Sequence, residues 1–288
     1  MLNPVVIKAV TIPDAWFQAL YNTVLYGRTV QVDKGSTPTK RWVLDHFTAH
    51  ITRPGTRPFE PEIPPGMKIP PPLEPGYVDK YFPYYIHDIN QPREHYTYAQ
   101  DLSWQVRWLI EYYKKHGYTK HGYMTVGRPE SLYFYDEDVD YEEVITVRER
   151  DTQKRIRRKV ISNECNKRET GTSQCLRGVD TVVTEGKLHF GVHFRSWNLW
   201  SAFLANLACL QVMKEYMAQE IGVGDGEMFA TCMKLGLQES VFDIAKLRTG
   251  LEREDSSSSN IDMNDLFKDC RTPTHTDFLN LGKTLKSI

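Results

Sequence analysis

The stretch from Thr172 to Val223, TSQCLRGVDTVVTEGKLHFGVHFRSWNLWSAFLANLACLQVMKEYMAQEIGV, limits the fold of this chain more than any other. Val182 and Val183, then Leu188, Phe190, Val192 and Phe194, form two apolar runs separated by Glu185-Gly186. The second run alternates with His189, Gly191, His193 and Arg195, which predicts two strands joined by a tight turn. Successive side chains point to opposite faces of a strand, so Arg195 is expected on the face of His189 and His193. After Ser196 the spacing of Trp200, Phe203, Leu207, Leu210, Met213 or Lys214, and Met217 follows a helical period and predicts a central core helix. Asn206 is polar within the apolar half of that helix. A buried amide needs partners, and its planar edge can pair with a heterocyclic base.

Cys175 opens this stretch, Arg195-Ser196 closes its hairpin and Asn206 follows, an order that points to a nucleophile, an anion clamp and a base-reading amide. These residues resemble the thymidylate synthase family, which includes the nucleotide hydroxymethylases, and above all its archaeal-type branch. The likeness rests on the interval from Cys175 to Arg195-Ser196 and on to Asn206, and on FRSWNLWSAFLANLACLQVMKEYMAQEIGV. Upstream, YTYAQ around Tyr98 is similar to the family's tyrosine segment. QVRWLIEYYKKHGYTKHGYMTVGRPESL is similar to the helix and strand that carry a paired arginine.

The resemblance implies transfer of a one-carbon unit from 5,10-methylenetetrahydrofolate to C5 of a pyrimidine nucleoside 5′-monophosphate. C5 is a poor carbon nucleophile, so the family's cysteine thiolate adds to C6 and converts the ring to an enolate. On this resemblance Cys175 is the nucleophile, Arg195 and Ser196 bind the phosphate, and Asn206 reads the O4 and N3 edge and holds the enolate oxygen. A guanidinium near a thiol also favours its thiolate. Tyr98 belongs to the water network that moves protons near C5.

The sequence also departs from the family pattern. Lys120 and His121 stand where two adjacent arginines are lent across the dimer to the phosphate, and Gly236 and Gln238 stand where a His and a Tyr bind the sugar. Asn198 replaces an Asp beside base and folate, and Gln174 and Leu176 flank the cysteine in place of Pro and His. These changes spare the nucleophile and the base reader, the pattern of a relative with an altered substrate or product. Hydroxymethylation of dUMP, UMP, dCMP or CMP is therefore the leading expectation, with thymidylate synthesis proper as an alternative. A non-catalytic nucleotide-binding relative is a second. The implied fold is one α+β domain over residues 1–288, with a large mixed sheet flanked by helices and packed back to back in a homodimer.

Composition agrees with an enzyme-sized domain: 288 residues, 40% hydrophobic, net charge −1, which gives no charge excess for nucleic acid or an acidic membrane. No apolar run approaches membrane-spanning length, and the start MLNPVVIKAVTIPDAW lacks the pattern of a signal peptide. Five unpaired-looking cysteines fit a reducing, cytoplasmic setting. No metal is expected, because His46 with His50 and His189 with His193 are joined by no carboxylate or Cys in their motifs.

Further along the chain, a first helix is expected from Pro13-Asp14 to about Tyr26, then polar turns and a strand around Val43. The proline-rich residues 54–75 read as an ordered surface loop or a dimer contact. Residues 136–168 read as an insertion, a charged hairpin turning at Asp151, whose Arg157 and Arg158 compete with Lys120 as phosphate donors. A flexible tail is expected from about residue 253, through the serines 256–259.

Overall fold

The computed structural model describes residues 2, 4–34, 37–63, 70–86, 97–127, 141–149, 152–161 and 174–253. Helix α1 (Ile12–Tyr26) starts where its capping residues stand. The Thr11 hydroxyl accepts the Asp14 N–H at 3.2 Å, Asp14 accepts the Val10 N–H at 2.8 Å, and Pro13 sits in the first turn, where its missing donor costs nothing. The hairpin of β8 (Leu176–Thr184) and β9 (Lys187–Phe194) turns on Glu185 and Gly186, both in the left-handed region at φ 50° and 70°. Two such residues match the twist of the flanking strands, which closes the hairpin in the shortest loop.

These strands lie in a six-stranded mixed sheet, β1-β4-β11-β9-β8-β5, completed by β1 (Pro4–Ala9), β4 (His46–Ile51), β11 (Gly224–Cys232) and β5 (Tyr123–Thr125). β1 pairs parallel with β4 and β9 parallel with β11, while the other neighbours are antiparallel. Alternation gives the sheet two unlike faces. Ile7, Phe47, Phe190, Val192 and Ala230 are buried, and against that side pack α1, α4 (Ala99–His116) and α5 (Ala202–Ile221). The other face carries His50, His189, His193, Glu227 and Thr231 together with exposed Val6 and Phe229.

A second, four-stranded sheet runs β10-β12-β3-β2, from β10 (Trp197–Asn198), β12 (Leu235–Gln238), β3 (Thr37–Leu44) and β2 (Arg28–Lys34). Here the sequence reading needs two corrections. Residues 28–34 are a strand, not polar turns, because pairing with β3 along its whole length supplies what apolar burial does not. The helix after Ser196 begins at Ala202: the Trp197 and Leu199 N–H groups each donate at 2.9 Å, to Lys234 O and Gly236 O, which holds this segment extended alongside β12. The remaining helices are α2 (Tyr77–Tyr81), α3 (Pro83–Ile86) and α6 (Phe242–Thr249).

The proline-rich segment does more than cross the surface, since Phe59 and Leu73 are buried in the core. The expected charged hairpin is formed by β6 (Tyr141–Glu149) and β7 (Thr152–Ile161), with Glu143 opposite Arg158 and Thr146 opposite Arg155. Its turn at 150–151, its flanks at 136–140 and 162–168, and the tail after 253 lie outside the described residues. Among the described residues no helix is long and apolar enough to cross a membrane.

Candidate active site

The open end of the β8–β9 hairpin brings the cysteine and the arginine together. Cys175 precedes β8, and its carbonyl accepts the Arg195 N–H at 2.9 Å. The Arg195 guanidinium donates from Nε to Gln174 O at 3.1 Å and from Nη1 to Ser196 Oγ at 3.2 Å. Ser196 Oγ in turn lies 3.8 Å from Cys175 Sγ. Cys175 is half-buried, whereas Cys209 and Cys232 are buried. Burial pushes the Cys209 thiol far up and the Cys232 thiol to about 12, which leaves both as packing groups. Cys165 and Cys270 lie outside the described residues.

A second cluster forms on the first turns of α5. Asn206 is buried, its Oδ1 accepting from Trp197 Nε1 at 3.0 Å and its Nδ2 donating to Tyr85 Oη at 2.7 Å. Trp197 is stacked on Phe194 with ring centroids 3.8 Å apart, so β10 and the end of β9 set the position of the indole. Tyr85 is fully buried, its ring 5.2 Å from that of Tyr98 and 5.7 Å from that of Tyr81. Burial first, then Tyr81 and Tyr98, raises the Tyr85 hydroxyl well above the ordinary phenol range and keeps it neutral.

Asn206 also lines a pocket of about 460 Å³ walled by Tyr77, Tyr81, Leu73, Ser201 and Ala205, with Glu74 at its rim. Two aromatic rings with centroids 5.4 Å apart, a carboxylate and an amide suit a flat ring with polar edges.

No protein-family model matches the chain. Thermostable thymidylate synthase A from Bacillus subtilis superposes on it with a TM-score of 0.54, over 85% of this chain and 86% of that one, at 12% identity. The fold is thymidylate synthase-like. A protein of Methanocaldococcus jannaschii named "Putative thymidylate synthase" is 38% identical over 66 residues, which are 23% of this chain and 30% of that protein. The chain thus spans under a third of the curated relative it matches.

Within this thymidylate synthase-like fold the other expected residues are dispersed. Asn198 is half-buried in β10, and its Oδ1 accepts the Ser201 N–H at 3.4 Å as the chain turns into α5. Lys120 is exposed on the loop between α4 and β5, and Gln238 is exposed at the end of β12, opposite Arg41. No hydrogen bond or ion pair among the described residues ties either to Cys175 or Asn206. Tyr98 stands at the start of α4, its ring beside that of Tyr85.

Sequence reasoning missed Tyr77, Tyr81, Tyr85, Trp197 and Glu74. The first three recur every fourth residue in YVDKYFPYY, a stripe disguised by the break between α2 and α3 at Phe82-Pro83. Trp197 carries a polar N–H, which needs a partner wherever it is buried, and Asn206 is that partner. The histidines are engaged on the outer sheet face: His50 Nε2 lies 2.6 Å from Glu227 Oε2, His189 Nδ1 accepts the Glu227 N–H at 3.0 Å, and His193 Nδ1 lies 3.0 Å from Thr231 Oγ1. Among the described residues no group of three or more His, Cys, Asp or Glu stands where it could hold a metal ion.

Proposed function

We propose that the protein transfers a one-carbon unit from 5,10-methylenetetrahydrofolate to C5 of a pyrimidine nucleoside monophosphate, and that hydroxymethylation is the outcome. The observation that carries this reading is the adjacency of Cys175, Ser196 and Arg195 at the hairpin end, with the buried Asn206 amide on the helix that follows. Cys175 Sγ adds to C6, and the electron pair moves through C5 toward O4, where Asn206 holds the developing charge. Arg195 and Ser196 bind the phosphate, aided by Lys120 from the partner in a homodimer. Tyr98 helps order the proton-carrying water, and Gln238 meets the sugar.

The folate, when bound, supplies the electrophilic carbon that C5 attacks. Tyr77, Tyr81, Glu74 and Ser201, which line the pocket beside Asn206, are the residues that would hold its pterin end. A back-to-back dimer is supported by the exposed Val6, Val182 and Phe229 on the outer face of the large sheet. Thymidylate synthesis proper is the second reading, favoured by the names of the two compared proteins.

The test is incubation of the protein with methylenetetrahydrofolate and each of dUMP, UMP, dCMP and CMP, followed by the mass of the nucleotide product. A hydroxymethyl gain supports the leading reading, a methyl gain with dihydrofolate supports the second, and no gain from any of the four overturns both. The phosphate role gives a separate expected result. Arg195→Ala raises the KM for the active nucleotide roughly tenfold to a hundredfold, the worth of a charge-assisted hydrogen bond to an anion. Arg195→Lys recovers part of that loss by keeping the charge without the fork. Steady-state kinetics on the two variants check the order, and an unchanged KM in Arg195→Ala removes Arg195 from the phosphate site.

A further inference from the structure

We infer that Trp16 is a positioning residue for the pocket beside Asn206, holding the wall of Ser201 and Ala202 in place without lining the pocket itself. The inference rests on reading that pocket as the folate site. Trp16 belongs to α1 and is buried, and its indole Nε1 donates to two backbone carbonyls at once, Leu199 O and Trp200 O, each at 3.1 Å. Both carbonyls lie in the turn that leaves β10 and enters α5.

These carbonyls fall between the strand ladder and the helix ladder, and among the described residues no other donor reaches them. A buried carbonyl left without a donor is costly, so the indole N–H fixes where the turn can sit. The ring of Trp200 meets that of Trp16 edge-on, with centroids 5.5 Å apart, and both indoles line a small cleft with Pro61, Pro70 and Pro72. Pro72 is common to this cleft and to the pocket, whose lining continues through Leu73 and Glu74. Trp16 therefore braces the start of α5 by hydrogen bonds and the proline-rich side of the pocket by packing.

Ser201 and Ala202 follow the held turn directly, whereas Asn206 lies about one helical turn further along α5 and has its own anchors in Trp197 and Tyr85. Loss of the indole N–H thus displaces the wall and leaves the amide and the group of Cys175, Ser196 and Arg195 where they are. A flat ring held for reaction is sensitive to such a displacement, since about 1 Å of misplacement costs on the order of a hundredfold. The contacts proposed for the nucleotide, at the hairpin end and on Asn206, do not pass through this turn. Trp16 accordingly acts on the one-carbon donor and not on the acceptor.

The experiment compares the full chain with its Trp16→Phe and Trp42→Phe variants. Both substitutions shrink a buried indole, but Trp42 Nε1 has no hydrogen-bond partner among the described residues, so Trp42→Phe reproduces the loss of packing without releasing a turn. The readouts are the backbone amide shifts of Leu199 to Ala202 in the ligand-free proteins, and equilibrium binding of tetrahydrofolate and of whichever of dUMP, UMP, dCMP and CMP the parent binds most tightly. Trp16→Phe is expected to move those amides and to weaken tetrahydrofolate roughly tenfold, with nucleotide affinity kept within about twofold. Trp42→Phe is expected to change none of the three. In the parent, the Trp16 indole N–H resonance is expected to shift on addition of tetrahydrofolate and to stay in place with nucleotide alone, a readout that holds even where Trp16→Phe fails to fold. Unmoved amides, an unmoved indole resonance, equal weakening of folate and nucleotide, or the same losses in Trp42→Phe overturns the positioning role. A parent that binds no tetrahydrofolate overturns the folate reading instead, and the amides of Leu199 to Ala202 then decide by themselves whether Trp16 holds the wall.

Discussion

Cys175→Ser is expected to reduce transfer to the nucleotide by at least about 10⁴-fold, the order of loss seen when a covalent nucleophile is removed. The substitution exchanges sulfur for oxygen and keeps size and polarity nearly constant. Among the described residues, the hydrogen-bonding contacts of Cys175 are Ser196 Oγ and the Arg195 N–H, neither of which takes a proton from a serine alcohol. The fold has little stake in the exchange, because Cys175 is only half-buried and packs at the edge of the core. Single-turnover kinetics with acid quench, read by protein and nucleotide mass, tests this: the parent shows a nucleotide-sized mass gain on the protein that the variant lacks. Residual turnover above a hundredth of the parent's would remove the covalent step from the mechanism. Cys209→Ala and Cys232→Ala serve as controls, expected to lower stability by about 1 kcal/mol while leaving the mass gain in place.

The second large effect concerns stability. Lys214 is fully buried on α5, its Nζ donating to Gly226 O and, at 3.3 Å, to Glu227 O, with Asp225 Oδ1 also at 3.3 Å. Burial lowers its pKa from 10.5 to about 8 against the opposing pull of Asp225. Below pH 8 the folded and unfolded chains both carry this proton, so it adds no pH dependence. Between pH 8 and 10.5 the unfolded chain keeps the proton and the folded chain releases it. Stability due to this group therefore rises with pH across that window, by on the order of 3 kcal/mol. Lys214→Ala is expected to cost about 3–5 kcal/mol at pH 7, since it opens a cavity and strips the donor from two carbonyls at the β11 bulge. Lys214→Met keeps most of the volume and abolishes the rise, so it falls further below the parent at pH 9.5 than at pH 7. Urea unfolding at the two pH values decides the matter, and parallel curves for parent and Lys214→Met would show that the amine titrates normally.

The legible parts of this fold were those with a strong local period. Leu188, Phe190, Val192 and Phe194 are all buried, as their alternation requires, and α1 ends at Tyr26 as expected. β2 was illegible because Thr29, Gln31 and Asp33 mix with Val30 and Val32 on a strand that gains its stability from one hydrogen-bonded neighbour. The grouping of Cys175, Arg195 and Ser196 was legible from the hairpin alone, since pairing Leu176 with Phe194 forces their ends together. Tyr85 was not, because its meeting with Asn206 joins residues far apart in sequence and depends on how α3 packs on α5. Lys214 illustrates the same limit: the helical period left Met213 and Lys214 as rivals for one core position, and both are buried.

The charged hairpin lies between β5 and β8 in the chain, yet those two strands remain paired side by side at one border of the large sheet, Met124 opposite Val179. An excursion that leaves and re-enters at neighbouring rungs of a border ladder adds length without disturbing anything inboard of it. The register that carries Cys175 toward Arg195 is set one strand further in, between β8 and β9. Sequence change is thus at liberty to lengthen, recharge or discard residues 141–161 while the β8–β9 register is kept, and divergence should accumulate there first.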